Sequence, residues 1–180
     1  MEAVRDGNVR LLASLFERHH RSLFNFFVHL TGRPELSEDL VQEVFYRLLK
    51  SRHTYRSDHS FTGWMYQVAR NAHIDHLRKR RGEVLSIDNA EDRRPEPVEP
   101  APHPEQRLQQ SQEVALLRRA MESLPADKRE ILVLSRFQNL KYDEIARILD
   151  VEVNTVKVRV FRAVKQLGVA YQSLAGERAS

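Results

Sequence analysis

Between Asn154 and Lys165 the chain carries four bases, Lys157, Arg159, Arg162 and Lys165, and no acid. Fixed cations on one short segment are suited to neutralising phosphates. The stretch from Tyr142 to Lys157 has the spacing of a helix-turn-helix. Ile145, Ala146 and Leu149 form the apolar side of one short helix, Val151 fills the turn, and Val156 and Val160 form the inner side of the next. Asn154 is expected to cap that second helix. Thr155, Val158, Arg159, Arg162 and Gln166 then share the outward face, flanked by Lys157 and Lys165. A helix that enters the major groove needs this arrangement, with base-reading groups near its N-terminal end and cations beside them. One basic run alone usually marks a solvated helix face. Here buried spacing, cap and one-sided charge coincide.

A second group combines cations with rings. Arg70, Asn71, Asp75, Arg78 and Lys79 fall on the exposed sides of a helix that ends in Arg78-Lys79-Arg80-Arg81. His53, Tyr55, Phe61 and Trp64 come just before it. Single-stranded nucleic acid requires both components, cations for phosphates and π-faces for unstacked bases. Phe61, Trp64 and Met65 also sit at core spacing, so Tyr55, on a loop, is the ring expected to touch a base. A third group is acidic: Glu35, Asp39, Gln42, Glu43 and Tyr46 recur at helical spacing. Such a face repels nucleic acid and suits either a basic protein surface or plain solvent. Metal chemistry finds little support. His19-His20 point to different helix faces, His73/His76 lack an evident third ligand, and the acids are dispersed. No cofactor, no metal site and no catalysis are expected.

The elements that must position these groups are all helical. Leu12, Leu15, Phe16, Leu23, Phe26, Phe27 and Leu30 form one stripe that stops at Thr31-Gly32. A second helix is predicted from about Pro34 to Lys50, with Leu40, Val41, Val44, Phe45, Leu48 and Leu49 inward. A polar loop, 51–60, leads to a third helix from about Phe61 to Arg81, anchored by Phe61, Trp64, Met65, Val68, Ala72 and Leu77. Composition changes after Gly82. Between Glu83 and Arg107 there are seven acids, three bases and five of the seven prolines, so that stretch is expected to be extended and unpacked. Helical spacing returns from about Gln106 through Val114, Leu117, Met121 and Leu124, with further helices near 127–138, 142–149 and 154–171. The predicted fold class is all-α: two small helical domains, 1–82 and 108–180, joined by an acidic, Pro-rich linker, 83–107. The 180 residues have a formal net charge of +4 and no cysteine, which excludes disulfides and thiolate sites. With neither an apolar leader nor a membrane-length apolar run visible, no membrane insertion and a cytoplasmic location are expected.

Three stretches in order resemble the extracytoplasmic-function sigma factors of bacterial RNA polymerase, across roughly Leu11 to Tyr171. The first is Asp39-Leu40-Val41-Gln42-Glu43-Val44-Phe45. The second is Phe61-Thr62-Gly63-Trp64 with Ala69-Arg70-Asn71-Ala72-His73-Ile74-Asp75-His76-Leu77-Arg78-Lys79-Arg80. The third is Leu124-Pro125 with Glu144-Ile145-Ala146 and Thr155-Val156-Lys157. The resemblance implies a region 2 helical bundle and a region 4 helix-turn-helix, with core RNA polymerase (β′ clamp helices and β flap) and promoter DNA as partners. It also admits a sequestering anti-sigma protein. By the same resemblance Asp39, Gln42, Glu43 and Tyr46 would meet the clamp. Tyr55, Arg70, Asn71, Asp75, Arg78, Lys79 and Arg80 would serve the minus-ten element, with a flipped base received by the loop. Thr155, Lys157, Val158, Arg159, Phe161, Arg162 and Lys165 would serve the minus-thirty-five element, and the acidic join would thread the polymerase's RNA path. Three positions depart from the pattern. Val158 stands where a small polar residue is common, Asp150 replaces a frequent turn glycine, and Gly63 is expected to loosen the start of the third helix.

Two other function classes compete. A DNA-binding regulator acting without polymerase would need only the C-terminal half and would leave Asp39, Gln42 and Glu43 without a role. A metal-dependent nuclease would have to assemble Glu38, Asp39, Glu43 or Asp75 with histidines.

Overall fold

The computed structural model describes the backbone of residues 1–58, 60–84 and 104–179, and within these the side chains of all but 81–111 and 178–179. Residues 85–103, most of the expected linker, lie outside the described residues. Every regular element described is helical. In chain order these are α1 (Glu2–Arg5), α2 (Leu12–Thr31), α3 (Pro34–Lys50), α4 (Phe61–Val84), α5 (Pro104–Glu122), α6 (Ala126–Leu132), α7 (Tyr142–Leu149) and α8 (Val153–Ala179). Short 3₁₀ turns occupy Val9–Leu11 and Arg52–Thr54, and a π-helical segment, Val133–Phe137, prolongs α6.

Local chemistry accounts for most helix limits. Gly32 ends α2 in the left-handed region, at φ 67°, where a missing Cβ removes the steric cost. Pro34 opens α3 at a position whose N–H has no helical partner, with Glu35 in the first turn and Arg47 and Lys50 in the last. α4 starts tightly. The Ser60 hydroxyl accepts the Gly63 N–H at 3.0 Å, and a Cβ on Gly63 would lie only 3.0 Å from that oxygen. Gly63 therefore makes room for the cap instead of loosening the helix.

In the helix-turn-helix, Glu144 accepts the Lys141 N–H at 3.2 Å and closes the start of α7. Asp150 ends α7 at φ 53° and ψ 54°, the left-handed conformation in which Asp is among the tolerated side chains. Val151 N–H then donates back to Ala146 O at 3.0 Å. Asp150→Gly is expected to stabilise the fold by about 0.5–1 kcal/mol, by relieving the αL cost of a side chain. A melting temperature no higher than wild type would refute this.

Packing corrects three expectations. Phe16 and Leu77 are 37% and 41% exposed, although both sit at core spacing on their helices. Helix α5 packs on α8 with a face rotated from the expected one: Met121 and Leu124 are buried as expected, but Val114 and Leu117 are not. Leu116, Ala120 and Met121 are buried while Val114 is 60% exposed. With Leu116 and Leu117 adjacent, the packing partner selects which points inward.

Most of the buried residues form one contiguous cluster running through both halves of the chain. It includes Leu23, Phe26, Phe27 and Leu30 of α2, Val44 and Leu48 of α3, and Met65, Tyr66 and Ala69 of α4. From the second half come Ile131, Leu132, Leu134, Ile145, Val156, Val160 and Ala163. Polar links cross the same boundary. Tyr66 donates to Gln138 Oε1 at 2.5 Å and lies 2.6 Å from Ser22 Oγ. Burial raises the Tyr66 phenol to about 12, so it stays a donor. Arg129 lies at the centre of the boundary. Its guanidinium donates to Met121 O, Glu122 O and Leu124 O, and to Leu30 O at the end of α2.

Candidate nucleic-acid interface

Three surfaces carry the residues that the sequence singled out. On α8, Val156, Val160 and Ala163 are buried against the second half. Lys157, Val158, Arg159, Phe161, Arg162 and Lys165 are turned outward, and Thr155 is half-buried. Phe161 is 70% exposed and Val158 46%, an apolar pair set among four cations. Helix α8 begins at Val153, one residue before the expected cap. Asn154 lies inside the first turn, and its Oδ1 lies 3.5 Å from Lys157 Nζ. This helix can offer methyl and ring contacts to base edges while its cations meet phosphates.

Helix α4 presents Asn71, Asp75, Arg78, Lys79 and Arg80 on exposed turns. Two of the expected contact groups are already engaged. Asp75 receives Arg47 of α3 at 2.6 Å, and Arg47 also donates to Glu43 at 2.6 Å. One guanidinium thus joins a carboxylate from the clamp-type stripe to one from the nucleic-acid-type helix. Arg70 points across the boundary between the halves, with Nε 3.1 Å from Glu130 Oε1. The N–H does not point straight at that oxygen, so the contact is an ion pair more than a hydrogen bond. Burial raises the Glu130 carboxyl above its ordinary value, and Arg70 opposes the shift.

The loop before α4 departs most from expectation. Tyr55 is only 8% exposed. Its ring lies 5.3 Å from Trp64 and 6.3 Å from Phe61, so it belongs to an aromatic cluster under the loop. Among its described residues the loop exposes His53, Thr54, Arg56, Ser57, Asp58 and Ser60. Trp64 is half-buried, as its core spacing suggested. At the far end of the loop the Ser60 hydroxyl, which caps α4, also donates to Glu144 Oε1 of α7 at 2.5 Å.

On α3, Glu35, Asp39, Gln42 and Tyr46 are exposed along one stripe and Glu43 is half-buried. Tyr46 is 60% exposed, with Lys50 Nζ 6.0 Å from its ring centre. Among the described residues no group of three or more His, Asp or Glu could hold a metal ion. No described helix is long and apolar enough to cross a membrane.

His73 adds a pH response. Burial, then His76 and Arg129, lower its pKa to about 4. A folded value below the unfolded one means that folding favours the neutral ring, so this stability is present above the ordinary imidazole value and is lost as pH falls towards about 4. Glu130, with its raised carboxyl, works in the opposite sense at the same boundary. We expect the melting temperature to fall over that window and His73→Leu to flatten the fall. An unchanged slope in the variant would contradict the assignment.

Sequence reasoning missed Arg129, Glu130, Gln138 and Glu144. None was given a role by its spacing, and each has at least one partner in the other half of the chain.

Comparison with known proteins covers both halves. The Sigma-70 region 2 family matches residues 15–83, and the Sigma-70, region 4 family matches residues 115–167. The ECF RNA polymerase sigma-E factor of Escherichia coli (strain K12) is 31% identical over 179 residues, which cover 97% of this chain and 93% of that protein. The ECF RNA polymerase sigma factor SigE of Mycolicibacterium smegmatis is 34% identical over 153 residues, 85% of this chain but 58% of that longer protein. Among solved structures, the sigma factor RpoE of Bartonella quintana, co-crystallised with the anti-sigma factor NepR, superposes with a TM-score of 0.72 at 24% identity. The match covers 89% of this chain and 96% of that one, and at that identity it speaks for the fold alone.

Proposed function

Because this chain belongs to the extracytoplasmic-function sigma factors of bacterial RNA polymerase, we propose that its three surfaces divide the work of promoter-specific initiation. It is an initiation factor and not an enzyme, so its residues act by binding and by holding DNA in an opened form. Residues 1–82 dock on the polymerase and serve the minus-ten element, residues 108–180 read the minus-thirty-five element, and the acidic stretch 83–107 joins them along the RNA path. The cytoplasm is the compartment this reading requires.

The clamp stripe is Asp39, Gln42, Glu43 and Tyr46. Its exposure on one face of α3, away from the shared core, supports docking on a basic protein surface. For the minus-ten element, Asn71, Arg78, Lys79 and Arg80 are exposed on α4, and the loop adds His53, Thr54 and Arg56. Tyr55 supports that loop from beneath, and Asp75 orients α4 through Arg47. For the minus-thirty-five element, Thr155, Lys157, Val158, Arg159, Phe161, Arg162 and Lys165 supply the contacts. The observation that carries the reading is the exposed, acid-free α8 face with Phe161 at its centre.

Arg70 requires a movement. It is held by Glu130, so it meets DNA only when α6 withdraws. The two promoter elements lie about 25 base pairs apart, roughly 85 Å of duplex. A compact chain of this length has a radius of gyration of only about 16 Å. The packed arrangement is therefore a form that the chain leaves on binding both elements. An anti-sigma protein that favours the packed form would be a negative partner.

Run-off transcription with core polymerase on a promoter library tests the assignment. The chain should direct starts at a defined set of promoters. Arg162→Ala should lower their yield, and if Arg162 meets only phosphate, the salt slope of binding should fall by about one. Identical start sites with and without the chain would overturn the reading.

A further inference from the structure

Helix α1 is only four residues long, Glu2–Arg5, far too short to persist on its own propensity. Burial explains its presence. Val4 is 1% exposed, although the residues around it in sequence are polar or face solvent. Helix α1 lies against the 3₁₀ turn Arg52–Thr54, the residues immediately before Tyr55. The Tyr55 phenol is raised by burial first, and then responds to Glu2 and Arg5 with opposite signs. Arg5 in turn pairs with Asp6 at 2.8 Å, which ties off the end of α1.

The loop needs an outside support at this point. Its start is held by local bonds: Ser51 Oγ to Arg47 O, Arg52 to Leu49 O, and Thr54 Oγ1 to Ser51 O. Its end is held by the Ser60 cap on α4. Between those points, Tyr55 rests with one side on Phe61 and Trp64. Beyond that aromatic cluster, α1 lies against the 52–54 turn, as does α3, while Glu144 of α7 meets Ser60 at the far end of the loop.

We infer that α1, acting through Val4, is a positioning element for the base-reading face of loop 51–58. It sets the height of the turn that carries His53, Thr54 and Arg56, and so contributes to which base the loop accepts. The inference rests on the proposal that this loop receives a minus-ten base. Val4 itself touches no DNA in this scheme. It acts by holding Tyr55 and the 52–54 turn against their aromatic bed.

The test uses the full chain with core polymerase on promoters that differ only in the minus-ten base offered to the loop, with the minus-thirty-five element constant. Wild type should prefer one base over the others by roughly tenfold or more. Val4→Asp and the milder Val4→Ala should reduce that preference, Val4→Asp to below about threefold, and Val4→Ile should restore it. Core affinity and minus-thirty-five binding should stay at wild-type levels, which separates loop positioning from general loss of fold. Faster amide exchange confined to residues 52–56 in Val4→Ala would support the same conclusion. If the Val4 variants keep full discrimination while His53→Ala or Arg56→Ala loses it, the loop reads the base without α1 and the inference is overturned. If the loop variants also keep full discrimination, the minus-ten assignment of the loop is wrong, and the inference falls with it.

Discussion

Asp39→Lys is expected to weaken binding to core polymerase by roughly a hundredfold, since like charges placed together at an interface cost several kcal/mol. Its melting temperature should stay close to wild type. Asp39 is exposed on α3 and makes no ion pair among the described residues, so its reversal changes the docking surface and little else. Glu43 offers a less clean test. Its carboxylate accepts Arg47, which in turn holds Asp75 on α4, and Glu43→Lys would set two cations together inside that network. Competition binding against wild type decides the matter. If Asp39→Lys binds core enzyme as well as the parent chain, the stripe is a solvated face and the DNA-binding regulator, acting alone, becomes the better reading.

Arg129→Ala is expected to cost about 3 kcal/mol, because it removes a charged donor from four backbone carbonyls that are otherwise shielded from water. For a chain of this size that corresponds to a fall of roughly 6–12 °C in melting temperature. Three of the carbonyls close the end of α5 and the turn after it, and the fourth, Leu30 O, ends α2. The loss thus weakens one half and its attachment to the other. Arg129→Lys should recover less than half of it, since an ammonium cannot present a planar fork to carbonyls on several sides. Thermal melts in parallel with proteolysis near the boundary would read both effects. A variant that melts within about 1 °C of wild type would show that the carbonyls find other donors.

Glu130 and Arg129 are neighbours with different tasks at that boundary. Arg129 supports the packed form through backbone carbonyls that no DNA contact needs. Glu130 holds Arg70, which the minus-ten reading needs free. The same interface therefore stabilises the chain and occupies a residue that the minus-ten proposal assigns to DNA.

Determinants confined to one or two helical turns were legible from the residues alone. Pro34 and Gly32 bracket a helix boundary, Asp150 tolerates the left-handed turn, and Val156 and Val160 follow the buried period of α8. These depend on backbone sterics and a 3.6-residue period, which any reader of the sequence can apply. What faces an exposed-looking side chain was decided only in the folded chain. Arg129 meets Leu30 across 99 positions and Tyr66 meets Gln138 across 72. Tyr55 passes from expected base contact to buried support because its ring packs beside Trp64 and Phe61. A cation or a ring on a helix has the same spacing whether water, phosphate or a distant helix covers it. Periodicity says which way a side chain points, and only tertiary packing supplies what it meets there.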